Sequence, residues 1–332
     1  MNRINWIDWT KAVAVITVVY CHLPQQADSF YFRYLQAGVI TLFFFVSGYL
    51  KKDRGSAAGN WRKYWRGLIL PYLLYNLVFL PYWVLRFYLQ TGAMPGVGDV
   101  MRPVLGALLL EHSGSFCEVL NGPLWYLPSI LILHVITDLF HRSRHAFSII
   151  AVLCIASFFL YYAYRYYDLP RSMTPMGTIR RLPYYYLGYV MGRLGLFRET
   201  KWGRDLLLTV VSLALSILVF HWHVQETRLL PHIAWFYPFN LCFLFTVLCG
   251  CRLLNGYAPR WMVNLSIGTL VIIGLHWIVI GCVNHALMPL LGMEGQACYT
   301  WYEALPVTAF VVAVLYPVIL FGRKHMPVLV GK

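Results

Sequence analysis

"WIDWTKAVAVITVVYCH" (6–22) decides the fold. From Ala12 to Cys21 the residues are apolar but for Thr17 and Tyr20, and the run is bordered by more apolar residues, as in a membrane-crossing helix. Three ionisable side chains, Asp8, Lys11 and His22, are set into it. Lys11 and His22 lie eleven residues apart. Eleven steps make nearly three helical turns, so the two share a face, about 16 Å apart along the axis. Asp8 stands three residues before Lys11, within pairing reach. Such a stripe is costly against lipid and marks the lining of a polar cavity. The plainer alternative makes Asp8 and a snorkelling Lys11 one membrane interface and His22 the other.

The rest of the 332-residue chain repeats the apolar theme. It is 59% hydrophobic and only 12% charged, about half the charged fraction of a soluble protein. Apolar runs at 6–23, 36–51, 67–90, 123–140, 145–163, 182–197, 204–222, 234–252, 267–288 and 303–322 predict an all-α, polytopic transmembrane bundle of about ten helices. The ten-residue alternation of a barrel is missing. "PVLGALLLE" (103–111) is too short to cross and is expected to dip in or lie at the interface. The first run carries Asp8 and Lys11 and no small-residue cleavage site follows, so it does not read as a cleavable signal. With both termini cytoplasmic, seventeen Lys and Arg fall on the inner side and seven on the outer, as the positive-inside rule asks. The net charge of +14 is thus mostly topology and no pointer to nucleic acid. Eight cysteines show no metal-ligand spacing, and Cys117 and Cys298 are placed where they can pair. One domain over 1–332 is expected.

Two inner stretches bear on the stripe. In "TLFFFVSGYLKK" (41–52), Ser47 and Gly48 make a small patch suited to close approach, whether of a ligand or of another helix. "KKDRGSAAGNWRKYWRGLILPY" (51–72) sets six basic residues against Asp53. Its Arg62, Lys63 and Arg66 stand at the mouth of the third span. Such a cluster suits the phosphates of a nucleotide-like ligand; topology and anionic lipid explain it equally. On the outer side, "YYAYRYYDLPRSMTPMGTIRRLPYYY" (161–186) reads as a loop in which Arg180 and Arg181 defy the charge rule among tyrosines. Its arginines suit phosphate or carboxylate and its tyrosines suit sugar faces; an interfacial aromatic belt is the alternative. His276 lies mid-helix, as a polar lining group or a bonded core histidine. His221, His223, His141 and His145 lie near helix ends and read as interfacial.

Several elements, in order, resemble the acyltransferase 3 family of integral-membrane O-acyltransferases. Asp8, Lys11 and His22 fit its opening signature of an Asp, a basic residue three on, and a His after ten more. "FFFVSGYL" (43–50) is similar to its Phe-Phe-x-x-Ser-Gly element. "KYWRGLILPY" (63–72) is similar to its basic-x-x-Arg element before a proline, with Lys63 where Arg is more usual. "GPLWYLPSILI" (122–132), "YYYLGYVMGR" (184–193) and "IGLHWIVI" (273–280) resemble later helix motifs. The resemblance runs from the first to the ninth span.

The resemblance implies transfer of an acyl group, most often acetyl, from cytoplasmic acetyl-CoA to a hydroxyl of a surface or envelope glycan or lipid-linked sugar. It implies a multi-pass protein of a bacterial inner membrane, in contact with lipids, with no metal and no nucleic acid. Arg62, Lys63 and Arg66 would hold the CoA phosphates, and Ser47 and Gly48 would flank the arm. Asp8 would orient Lys11 in the lower channel. His22 would be general base, steadied by a carboxylate for which Glu118 is the candidate. Asn121, Trp125, Arg180, Arg181 and His276 are the acceptor-side candidates. The rivals are a proton-coupled transporter or flippase with Lys11 and His22 as polar lining, and the same enzyme class with another acyl-CoA.

Overall fold

Among the described residues, ten long helices of the computed structural model correspond one for one to the ten apolar runs. The structure describes residues 3–26, 29–52, 57–110, 119–168, 173–197, 199–225, 229–290 and 298–332. In chain order the helices are α1 Asn5–His22, α2 Phe30–Tyr49, α3 Ala57–Tyr64, α4 Leu70–Thr91, α5 Val97–Leu108, α6 Tyr126–Phe140 and α7 Ala146–Tyr166. There follow α8 Met173–Arg193, α9 Trp202–Gln225, α10 Leu229–Leu253, α11 Arg260–Ile267, α12 Thr269–Leu290 and α13 Ala304–His325. A π-helical turn, Trp65–Ile69, joins α3 to α4, and a 3₁₀ turn, Gly122–Trp125, leads into α6. No β-strand occurs among the described residues; an isolated bridge ties Gln25 to Tyr299.

Among the described residues, eight helical segments are long and apolar enough to cross a membrane. The two long helices outside that set, α1 and α8, both carry charges, and the bundle shelters them. Helix α1 packs against α2, α10, α11, α12 and α13, and α8 packs against α2, α6 and α7. The tightest seam joins α2 to α8. A methyl added at Gly48 would stand 1.9 Å from the carbonyl oxygen of Tyr185, and one at Gly188 would stand 2.1 Å from that of Phe45. Only glycine lets the two backbones approach so closely. Gly48 therefore faces α8. Deep in the same bundle the Thr41 hydroxyl donates to Asn240, stitching α2 to α10.

Three expectations are corrected here. The stretch 161–186 is not an outer loop. Helix α7 runs to Tyr166 and α8 begins at Met173, so Arg180 and Arg181 sit on a bundle helix. Helix α8 begins before the apolar run at 182–197 and carries Pro183 internally. Tyr184, Tyr185 and Tyr186 are buried, with no free faces for sugar. Asp8 does not pair with Lys11: its carboxylate accepts from Arg3 and from the Ser266 hydroxyl. His223 and His141, near the ends of α9 and α6, are both buried. The short segment near 103–111 is α5, through Leu108, and the Tyr72 hydroxyl donates to its Ala107 carbonyl.

Candidate functional site

Two cavities are built on successive stretches of α1, α2 and the turn into α6. The one at the Lys11 end has a volume of about 250 Å³. Lys11, Ser47, Lys51, Lys63, Tyr126 and His134 give it its polar wall, and Val330 and Gly331 close one side. The Tyr75 hydroxyl holds that C-terminal turn through the Leu329 carbonyl at 2.7 Å. Lys11 has no hydrogen bond or ion pair among the described residues, so its ammonium is left to the cavity. Ser47 lies 2.7 Å from the Tyr126 hydroxyl, which also reaches the Phe43 carbonyl at 3.2 Å. Arg62, Lys63 and Arg66 are exposed, Lys63 on the cavity wall and Arg66 within the π-helical turn.

Beside this cavity lies a hub that the sequence does not announce. The Asp138 carboxylate pairs with Lys51 and accepts from Tyr64 at 2.5 Å and Asn60 at 3.2 Å. His134 stacks on Tyr64 with ring centres 5.4 Å apart and meets the Tyr185 hydroxyl at 2.9 Å. Asp138 thereby ties the segment carrying Arg62, Lys63 and Arg66 to α6. Its only signal is an acid at i+4 from a histidine on α6, which in sequence resembles any helix end.

At the other end of α1, His22 meets His276. The His22 Nδ1 lies 2.8 Å from the Val18 carbonyl and 3.2 Å from the Nε2 of His276. The His276 Nδ1 lies 2.7 Å from the Ile272 carbonyl. Carbonyls only accept, so each Nδ1 carries a proton when the rings are neutral. His276 Nε2 is then an acceptor and shares the His22 Nδ1 proton with Val18. This leaves the His22 Nε2 with its lone pair and no partner among the described residues, which is what a proton acceptor in a reaction requires. Trp277 packs edge-on to His22 at 5.8 Å. His276 is wholly buried behind His22.

His22 faces a second cavity of about 490 Å³. Its wall includes Arg33, Trp125, Arg180, Arg181, His223 and His232. Trp125 is wedged against Gly177, where a methyl would stand 2.3 Å from its ring. The His223 and His232 rings, from α9 and α10, lie 4.3 Å apart. Asn121 donates to the Gly274 carbonyl at 3.0 Å and fixes the turn into α6 against α12. Glu118 and Cys117 lie outside the described residues. A larger hollow of about 750 Å³ is lined by Thr17, Tyr31, Trp261, Trp301 and other mostly apolar residues, with no histidine or carboxylate in its wall among the described residues. Among the described residues no cluster of metal-ligating side chains occurs.

The stripe read from the sequence thus reaches two chambers, with the Lys11 ammonium in one and an unprotonated imidazole nitrogen in the other. A family model described as an acyltransferase domain, acyltransferase 3, matches residues 4–322. No curated protein and no solved structure matches the chain.

Proposed function

The chain belongs to the acyltransferase 3 family and is a multi-pass membrane acyltransferase; we propose that it carries acetyl from acetyl-CoA to a sugar hydroxyl of a surface or envelope glycan or a lipid-linked sugar, in a bacterial inner membrane. Both termini and the Lys11-end cavity face the cytoplasm in this reading, and residues 1–332 act as one domain. Arg62, Lys63 and Arg66 hold the CoA phosphates at the mouth. Lys11 and Ser47 border the path of the arm, and the thioester arrives near His22.

The acceptor enters the larger, His22-end cavity. Its hydroxyl gives a proton to the His22 Nε2 as its oxygen attacks the thioester carbonyl. The carbon–sulfur bond breaks, the CoA thiolate leaves, and the proton on His22 passes to the thiolate. His276 and the Val18 carbonyl act as positioning groups, keeping the proton on Nδ1. Trp125, Arg180 and Arg181 lie on the acceptor side, and Asn121 braces the turn that carries Trp125. Glu118 is the proposed carboxylate partner of His22.

The observation that carries the reading is the free Nε2 of His22 at a cavity wall, one helix stripe from the Lys11 chamber. The test incubates purified protein with acetyl-labelled acetyl-CoA. Protein-dependent thioester cleavage or label transfer, lost in His22→Ala, is expected. No cleavage by a folded protein that binds acetyl-CoA would refute it. Cleavage of succinyl-CoA in preference would keep the enzyme class and change the donor.

A further inference from the structure

Arg180 and Arg181 bring two adjacent positive charges into a bundle helix. The Nε of each is closed off from solvent and has no hydrogen-bond partner among the described residues. Their neighbours are ring faces: Phe236 lies 3.4 Å and Tyr161 5.3 Å from Arg180, and Trp125 lies 5.5 Å from Arg181. Ring faces attract a cation but offer no acceptor in the plane of the guanidinium.

The same bundle shows the other way to keep an arginine. Arg252 is 1% exposed. It pairs with Asp205 at 3.2 Å and donates to the Phe197 carbonyl at 2.5 Å. An arginine stays charged at any ordinary pH, and an unpaired charge in apolar surroundings is costly. A fold that pairs Arg252 and leaves Arg180 and Arg181 open keeps their charge for a group that comes from outside. Arg33, His223 and His232 share their cavity, and no carboxylate lines it among the described residues.

We propose that this cavity binds an anionic group, carboxylate or phosphate, and that the acyl acceptor is a negatively charged sugar held by Arg180 and Arg181 with its hydroxyl toward His22. The word acceptor rests on the acyltransferase reading; the anion site does not. Guanidinium offers two parallel donors that match either oxyanion. A neutral sugar could accept hydrogen bonds but would leave both cations without a counter-charge.

The test uses the full chain in neutral detergent, with glucose, glucuronic acid, glucose 6-phosphate and inorganic phosphate as probes. Binding is read by calorimetry and thermal shift. At least one charged sugar is expected to bind about tenfold or more tightly than glucose, the worth of one hydrogen bond between charged groups. The Arg180→Gln/Arg181→Gln variant should lose that preference, bind acetyl-CoA as wild type does and elute as a single species. Arg181→Lys should keep part of the preference, which separates charge from misfolding. Equal affinity for charged and neutral sugars, or a preference that survives the double variant, would overturn the proposal. So would phosphatidylglycerol displacing phosphate where neither charged sugar does, since that assigns the site to lipid headgroups. Label transfer is followed on the same sugars. Anion preference without transfer refutes the enzyme reading and leaves the site; transfer to glucose as fast as to glucuronic acid refutes the charged acceptor and leaves the enzyme.

Discussion

The two ends of the α1 stripe keep their charges in opposite ways. At the Lys11 end, Lys51 is only 2% exposed at its side chain and is matched by Asp138, with Tyr64 and Asn60 completing the carboxylate's bonds. At the His22 end, Arg180 and Arg181 lean on aromatic rings with no carboxylate among the described residues. The first arrangement is a structural joint, beside which the proposed function gives the Lys11 ammonium to the donor. The second is the site proposed above for an anion. A buried charge is therefore no indicator of function by itself; whether the protein supplies its partner is what separates joint from site.

The comparison is broken most sharply at His22. His22→Ala should insert and bind acetyl-CoA within about twofold of wild type, yet lose at least a hundredfold in transfer, since a general base supplies about 10²–10⁴. Parallel loss of donor binding would merge the two chambers into one. Asp138→Ala comes next. It strands the Lys51 ammonium and should lower stability toward the lower end of about 3–5 kcal/mol, because the carboxylate is partly open. Thermal unfolding in detergent checks this, and Lys51→Met/Asp138→Leu should recover much of the loss. Full loss in the double variant would show that the pair itself, not the stranded charge, matters.

Smaller effects sharpen the contrast. Gly48→Ala forces a methyl onto the Tyr185 carbonyl and should cost about 1–3 kcal/mol by overpacking, with donor affinity of the folded fraction unchanged. A selective loss of acetyl-CoA binding would instead put Gly48 on the donor path. Replacing Arg62, Lys63 and Arg66 together by Ala should weaken acetyl-CoA about tenfold, and wild-type affinity should fall as salt rises. An unchanged affinity would reduce the cluster to topology. Smallest of all is the stability change in ligand-free Arg180→Gln/Arg181→Gln, expected within about 1 kcal/mol because only ring contacts are lost. A loss as large as that of Asp138→Ala would show that the guanidiniums already have partners.

Much of this is legible in the amino-acid sequence. Apolar run length locates all ten long helices, since a helix in lipid must satisfy its own backbone. The helical period places Lys11 and His22 on one stripe, and both line cavities. Contacts between distant segments are what escape such a reading. His276 follows His22 by 254 positions, and only packing of α12 on α1 brings their rings together. Asp138 resembles a helix-end acid because its partner Lys51 lies 87 positions earlier in the chain. The start of α8 escapes because Arg180 and Arg181 read as part of an outer loop; neighbouring helices let α8 keep them inside. Spacing alone assigns Asp8 to Lys11, whereas Arg3 and Ser266 outcompete it in three dimensions.

The central claim is that donor and acceptor meet at His22 from opposite faces. Sealed vesicles from cells making the protein test it most directly, with acetyl-labelled acetyl-CoA supplied only outside. Inverted vesicles, which on the proposed orientation expose the Lys11 end, should pass label to the membrane and glycan fraction, and His22→Ala vesicles should not. Right-side-out vesicles should stay unlabelled until permeabilised. Labelling of intact right-side-out vesicles as fast as inverted ones would contradict the account.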